Sequence, residues 1–282
     1  MQLADAAILR GLEGGLLYTA LGVFTGASVV GLRVVGGTRR GRALRSMVAV
    51  GTVLLTLGLV VAAGRWGRLP LVSRSEVLLF VAWGVAMLLW AVDRRAHSPV
   101  LVAAVAPSLA LLIGFSIVLL PGSGAVPAGV RTAATYLHIV LAIAGCAAFT
   151  FAAATGALYL WQIRTLKRRP AAAVGGRVPA LETLDRLNFR FAASGVVLLG
   201  LSLVVGWAFI PGRGQSPWAW FLDPTVLAVC VGLLVYGTLF TTRTWLGWRG
   251  RRAAWLTVVG FVVVVIVGGA VAAFCPKAVH LS

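Results

Sequence analysis

Acidic side chains are scarce in this chain. Its 282 residues hold seven Asp and Glu against twenty-five Lys and Arg, and charged residues make up 11% of the total. A soluble domain carries roughly 25%. No pair of carboxylates falls within the apolar stretches, so nothing marks a proton path. Histidine is rarer still: His97, His138 and His280. Cysteine occurs three times, as Cys146, Cys230 and Cys275, with no CxxC or CxxCH. That spacing excludes a thiol oxidoreductase and covalent c-type haem attachment. Cys146 and Cys230 lie inside apolar runs, where a thiol acts as a small hydrophobe. No phosphate loop, zinc-ligand spacing or nucleophile elbow occurs. The first fourteen residues carry Asp5 and Glu13 with little positive charge, so a signal-peptide pattern is lacking.

What abounds is apolar. Mean hydropathy is +0.98, and 60% of residues are hydrophobic. A membrane span needs about 20 such residues. Eight stretches qualify: 15–36, 46–64, 76–92, 99–120, 132–163, 189–210, 225–245 and 253–275. They nearly fill the chain. The expectation is one polytopic membrane domain over 1–282, an all-α bundle of eight transmembrane helices.

Positive charge orients such a bundle. Eighteen of the Lys and Arg fall in the first, third, fifth and seventh connections and seven on the opposite side. The bias puts those connections in the cytoplasm and both termini outside. The net charge of +18 therefore reflects inner loops facing anionic lipid, and no nucleic-acid partner is implied. His97, in DRRAHSP, falls on the inner side. Glu76 opens the third span, where an acid favours the helix dipole; a contact to a ligand or to Arg68 is the alternative. In the long inner connection, LETLDRLNFRF is amphipathic, with Leu181, Leu184, Leu187 and Phe191 at helical spacing. It reads as an extension of the sixth span or as a surface helix, and as the one sizeable inner feature open to a soluble partner. Glu182, Asp185, Arg186 and Arg190 stand at pairing distance along it.

The outer side holds the chemistry. The stretch GWAFIPGRGQSPWAWFLDP, between the sixth and seventh spans, carries Trp207, Trp218, Trp220, Arg213 and Asp223. His138, near the start of the fifth span, and His280, near the C-terminus, fall on the same side. Iron accepts neutral imidazole nitrogens axially. Tryptophans offer flat apolar area, and an arginine such as Arg213 suits a propionate. This grouping suits haem. Each part also has a plainer reading: an aromatic belt, a histidine bonded within the bundle, a tail residue. Asp223 can bond an imidazole N–H or cap the seventh span ahead of Pro224. A solute transporter is disfavoured by the lack of intramembrane charge and of repeats.

These residues bear a family resemblance. RLPLVSRSEVLLFVAW is similar to an RxPxxSxxE segment of the CcsA/HemX group of cytochrome c assembly membrane proteins. PWAWFLDPT resembles that group's outer motif, WGxxWxWDPxE, and the spacing continues through Val235-Tyr236 and Gly247-Trp248-Arg249-Gly250. The resemblance covers about 65–282. It implies that His138 and His280 are the axial metal ligands of one non-covalent, b-type haem, beside Trp218, Trp220, Trp207, Arg213 and Asp223. Three positions depart from the pattern: Leu222 replaces the second tryptophan, Val226 the acid, and Thr241 an inner histidine. The departures favour a HemX-like member that regulates haem synthesis or handling through a partner, such as glutamyl-tRNA reductase at the inner face. The alternative is a CcsA-type subunit of a haem–cytochrome c ligating complex, acting with a synthesis partner. Either implies a bacterial cytoplasmic membrane.

Overall fold

The structure, a computed structural model, describes residues 2–33, 38–67, 69–71, 73–96, 98–119, 133–168, 180–209 and 221–274. Eight long helices account for nearly all of them: α1 Gln2–Arg33, α2 Thr38–Trp66, α3 Arg74–Ala96, α4 Pro99–Val118, α5 Ala133–Arg168, α6 Leu181–Phe209, α7 Pro224–Trp245 and α8 Arg251–Phe274. Each expected span falls on one of them. Seven are long and apolar enough to cross a membrane. The eighth, α8, runs 24 residues, with side chains described only to residue 267. The protein is thus an all-helical, multi-pass membrane protein. LETLDRLNFRF is the first part of α6, continuous with the apolar run, and not a separate surface helix.

Local chemistry sets the helix ends. Ser73 and Glu76 form a reciprocal capping box at the start of α3. The Ser73 N–H donates to Glu76 Oε2 at 3.0 Å, and the Glu76 N–H donates to Ser73 Oγ at 3.2 Å. Ser98 caps α4 ahead of Pro99, accepting from the Leu101 N–H. At the other end of α7, Gly247 takes φ +65°, and the Trp248 N–H reaches back to the Thr242 carbonyl at 3.2 Å. Gly250 follows at φ +68° and accepts from the Ala254 N–H as α8 begins.

Two compact units divide the chain: 1–124 with 163–180, and 125–162 with 181–282. In the first, α1 packs on α2 and α4, and α3 on α4 and α2. A Cβ at Gly31 would collide with Ala103, so α1 and α4 touch backbone to backbone there. Trp83 Nε1 donates to Thr56 Oγ1 at 3.0 Å, joining α3 to α2. α1 begins upstream of the apolar run, so it encloses Glu13. Arg65 at the end of α2 pairs with that carboxylate at 2.8 Å, and both side chains are largely buried. The pairing lets the helix carry an acid among apolar neighbours.

In the second unit, Phe149, Ala152, Ala192, Leu199, Tyr236, Leu239 and Ala253 make one core from four helices. Phe149 of α5 stacks flat on Tyr236 of α7, with ring centroids 3.8 Å apart. The Tyr236 hydroxyl donates to the Thr257 carbonyl of α8 at 3.3 Å. Cys146 packs against this core, in keeping with its apolar setting. Cys275 lies outside the described residues.

Candidate functional site

α5 and α6 run antiparallel, so the start of one meets the end of the other. His138 lies in the second turn of α5 and Ser202 two turns before the end of α6. Three contacts join them. His138 Nδ1 lies 2.7 Å from the Ser202 carbonyl oxygen and 3.0 Å from Ser202 Oγ. Ser202 Oγ donates in turn to the His138 carbonyl at 2.9 Å. Ser202 is 2% exposed, and the imidazole is half-buried. Both ring contacts fall on Nδ1. Nε2, on the other edge, makes no hydrogen bond to any described residue.

The same end of this unit carries Trp207 and Asp223. Trp207 is 51% exposed near the end of α6. Asp223 precedes Pro224, the first residue of α7, and its carbonyl accepts the Leu227 N–H at 2.9 Å. Asp223 therefore occupies the N-cap position, one of the two roles expected of it. Arg213, Trp218, Trp220 and His280 lie outside the described residues, as does His97. Of the seven expected site residues the structure thus describes His138, Trp207 and Asp223. Among the described residues no three or more His, Cys, Asp or Glu group as a metal site. An iron porphyrin needs no such cluster, because it brings four of its own nitrogens and asks the protein only for axial donors. An imidazole held at Nδ1, with no hydrogen bond from Nε2 to a described residue, fits that need.

The positions that depart from the family pattern have physical roles of their own. Val226 is 2% exposed in α7, in a setting that an acid would enter only with a partner. Leu222 is exposed. Thr241 Oγ1 donates to the Thr238 carbonyl one turn back, so its polar group is spent on its own helix.

The opposite end of the unit holds a constellation that sequence spacing did not expose. Asp185 accepts two hydrogen bonds from Arg243, at 3.0 and 2.7 Å, and a third from the Gly250 N–H at 2.9 Å. The Arg243 guanidinium also lies over the Phe189 ring, 4.3 Å from its centroid. Of the pairings expected along α6, Glu182 with Arg186 forms at 2.6 Å. Asp185 goes elsewhere because α7 offers it a bidentate partner. One turn on, Asn188 donates to the Ala152 carbonyl of α5 at 2.7 Å and accepts from Thr257 of α8 at 3.1 Å. In the sequence, Asp185 stands out as a charge on the amphipathic start of α6 and 247–250 as a Gly-Trp-Arg-Gly segment, with nothing to join the two.

A family model described as "Cytochrome C assembly protein" matches residues 71–271. Among curated proteins, the chain is similar to "Cytochrome c biogenesis protein CcsA" of Prochlorococcus marinus (strain MIT 9303). The two are 27% identical over 263 residues, which cover 83% of this chain and 82% of that protein. Proteins of the same name from Synechococcus sp. (strain CC9902) and Parasynechococcus marenigrum (strain WH8102) are 27% and 28% identical. They match 79% and 78% of this chain and 81% and 80% of their own lengths.

Proposed function

The chain belongs to the cytochrome c assembly protein family, and from that premise we propose that it is a CcsA-type haem-handling membrane protein. It holds haem at the non-cytoplasmic face of a bacterial cytoplasmic membrane for the assembly of c-type cytochromes, with a synthesis partner. The observation that carries the proposal is the His138 imidazole, anchored through Nδ1 to Ser202 and with no hydrogen bond from Nε2 to a described residue. The curated relatives named for cytochrome c biogenesis support this role over a purely regulatory one.

In this reading His138 and His280 would hold the iron, Trp218, Trp220 and Trp207 would offer the ring apolar contact, and Arg213 would pair with a propionate. Asp223 caps the start of α7. Haem itself contributes an iron that accepts two more nitrogen donors and a flat apolar surface that aromatic rings can cover. The protein's task is to bind, orient and present it.

The visible spectrum of the purified full-length chain is the direct test. Haem that co-purifies gives a low-spin, bis-imidazole spectrum in wild type, and His138→Ala and His280→Ala each abolish it. Unchanged spectra in both variants remove the proposal. Deletion of the gene then abolishes c-type cytochromes.

Leu222, Val226 and Thr241 favour a second reading, a HemX-like regulator acting on haem synthesis through a partner such as glutamyl-tRNA reductase. It is distinguished by the deletion strain: altered tetrapyrrole levels with a full complement of c-type cytochromes support the regulator and discard the CcsA-type role.

A further inference from the structure

We propose that Ser202 is a positioning residue that fixes the tautomer of His138, so that Nε2 is the nitrogen offered to iron; this rests on the haem reading above. A carbonyl oxygen only accepts hydrogen bonds. The Ser202 carbonyl lies 2.7 Å from His138 Nδ1, so Nδ1 carries the proton. The opposite tautomer would set two lone pairs against each other at that distance. The neighbouring hydroxyl agrees. Ser202 Oγ commits its one hydrogen to the His138 carbonyl at 2.9 Å. Toward Nδ1, 3.0 Å away, it therefore presents a lone pair. One residue thus supplies two acceptors to Nδ1 and one donor to the backbone of the same histidine. In the neutral ring the remaining lone pair belongs to Nε2, and the double contact sets the plane in which it lies.

This arrangement does more than hold the ring. A ligating imidazole whose second nitrogen donates to an acceptor is a more basic ligand, and removing such an outer partner costs about 10–100-fold in metal affinity or activity. The acceptor here is mainly backbone, which no side-chain substitution deletes. Ser202 also sits 64 residues from His138 in sequence, inside an apolar run where a serine draws no notice.

The test uses the full-length chain in detergent. His138→Gly opens a cavity that free imidazoles can fill. Imidazole keeps an N–H for the Ser202 carbonyl, whereas 1-methylimidazole carries a methyl group there. Imidazole should restore the low-spin haem spectrum at a concentration at least about tenfold below that of 1-methylimidazole. In a second arm, Ser202→Ala should weaken haem binding about tenfold by titration while keeping a low-spin spectrum. Equal rescue by the two ligands, or wild-type affinity in Ser202→Ala, overturns the proposal. The ligand comparison does not depend on the Ser202 variant folding. A His138→Gly protein that keeps its full haem spectrum with no added ligand overturns the haem reading itself. Loss of haem followed by equal rescue overturns only the assignment of Ser202.

Discussion

The two ends of the second unit use polar residues in opposite ways. At the Asp185 end the carboxylate, the guanidinium and the amide that meet there are answered within the protein. Asp185 takes three donors from α7 and the loop that follows it, Arg243 spends its flat face on Phe189, and Asn188 bonds both α5 and α8. Left-handed glycines at 247 and 250 bend the chain so that a backbone N–H joins in. At the His138 end the hydrogen bonds of a single imidazole to described residues all run through Nδ1. Buried polar groups in proteins are nearly always satisfied. A network closed on itself stabilises and specifies a fold, and a group held firmly but half satisfied is prepared for something else. Under the proposed function, the contrast separates a structural end from a haem-holding one.

The sharpest way to break that contrast is to remove Asp185. Asp185→Ala leaves Arg243 and the Gly250 N–H without their acceptor in a largely buried setting. The expected loss is about 3 kcal/mol, the low end for breaking a buried pair because both side chains retain some exposure. Thermal unfolding of the purified protein checks it, and haem bound per folded molecule should not change. His138→Ala should do the reverse, with haem lost and unfolding hardly moved. If Asp185→Ala removed haem from protein that is still folded, the two ends would not be separable.

The next effect in size comes from the packing between them. A Cβ at Gly195 of α6 would run into the Phe149 ring of α5. That ring is pinned from its other face by Tyr236. Gly195→Ala is therefore expected to cost about 2 kcal/mol, typical of overpacking in a tight core. Because α5 also carries His138, a shift of the helix would change how its ring meets Ser202. Haem affinity should fall modestly alongside the melting temperature, which joins the two ends by a measurable thread.

Much of this was legible in the sequence, and the limits follow from range. The helices were visible because a span is a local property of about twenty residues. Glu76 at the start of α3 and Asp223-Pro224 at the start of α7 are local signals too, although Ser73, the other half of the α3 capping box, appears only in the structure. The family resemblance singled out His138, which the structure ties to Ser202. Neither partner across a helix pair was legible. Ser202 meets His138 across 64 residues, and Arg243 meets Asp185 across 58. Periodicity says which face of a helix is apolar and not which helix lies against it. Along α6, the arginines near Asp185 stand one and five residues away, at 186 and 190, so helix spacing offers it no partner. Glu13 was placed ahead of the first span because its charge ended the apolar run. The residue that neutralises it, Arg65, comes from another helix.

The smallest expected effect sharpens the comparison most finely, because it concerns the acid one turn from Asp185. Glu182 and Arg186 pair at 2.6 Å, shorter than either Asp185–Arg243 contact, and both stand in solvent, with side chains 81% and 59% exposed. Distance alone would rank this pair first. Screening by water and the cost of ordering two long side chains rank it last. A pair at four-residue spacing is worth about 0.5 kcal/mol or less, and an acid in the first turn of a helix adds a similar amount through the dipole. Glu182→Ala also gains helix propensity at that position, which offsets part of the loss. The melting temperature should move by no more than about 2 °C, a small fraction of the Asp185→Ala shift. A Glu182→Ala destabilisation as large as that of Asp185→Ala would mean that the latch extends onto the exposed face of α6, and that this face is structural and not open surface. A near-zero shift confines the latch to the three donors that converge on Asp185.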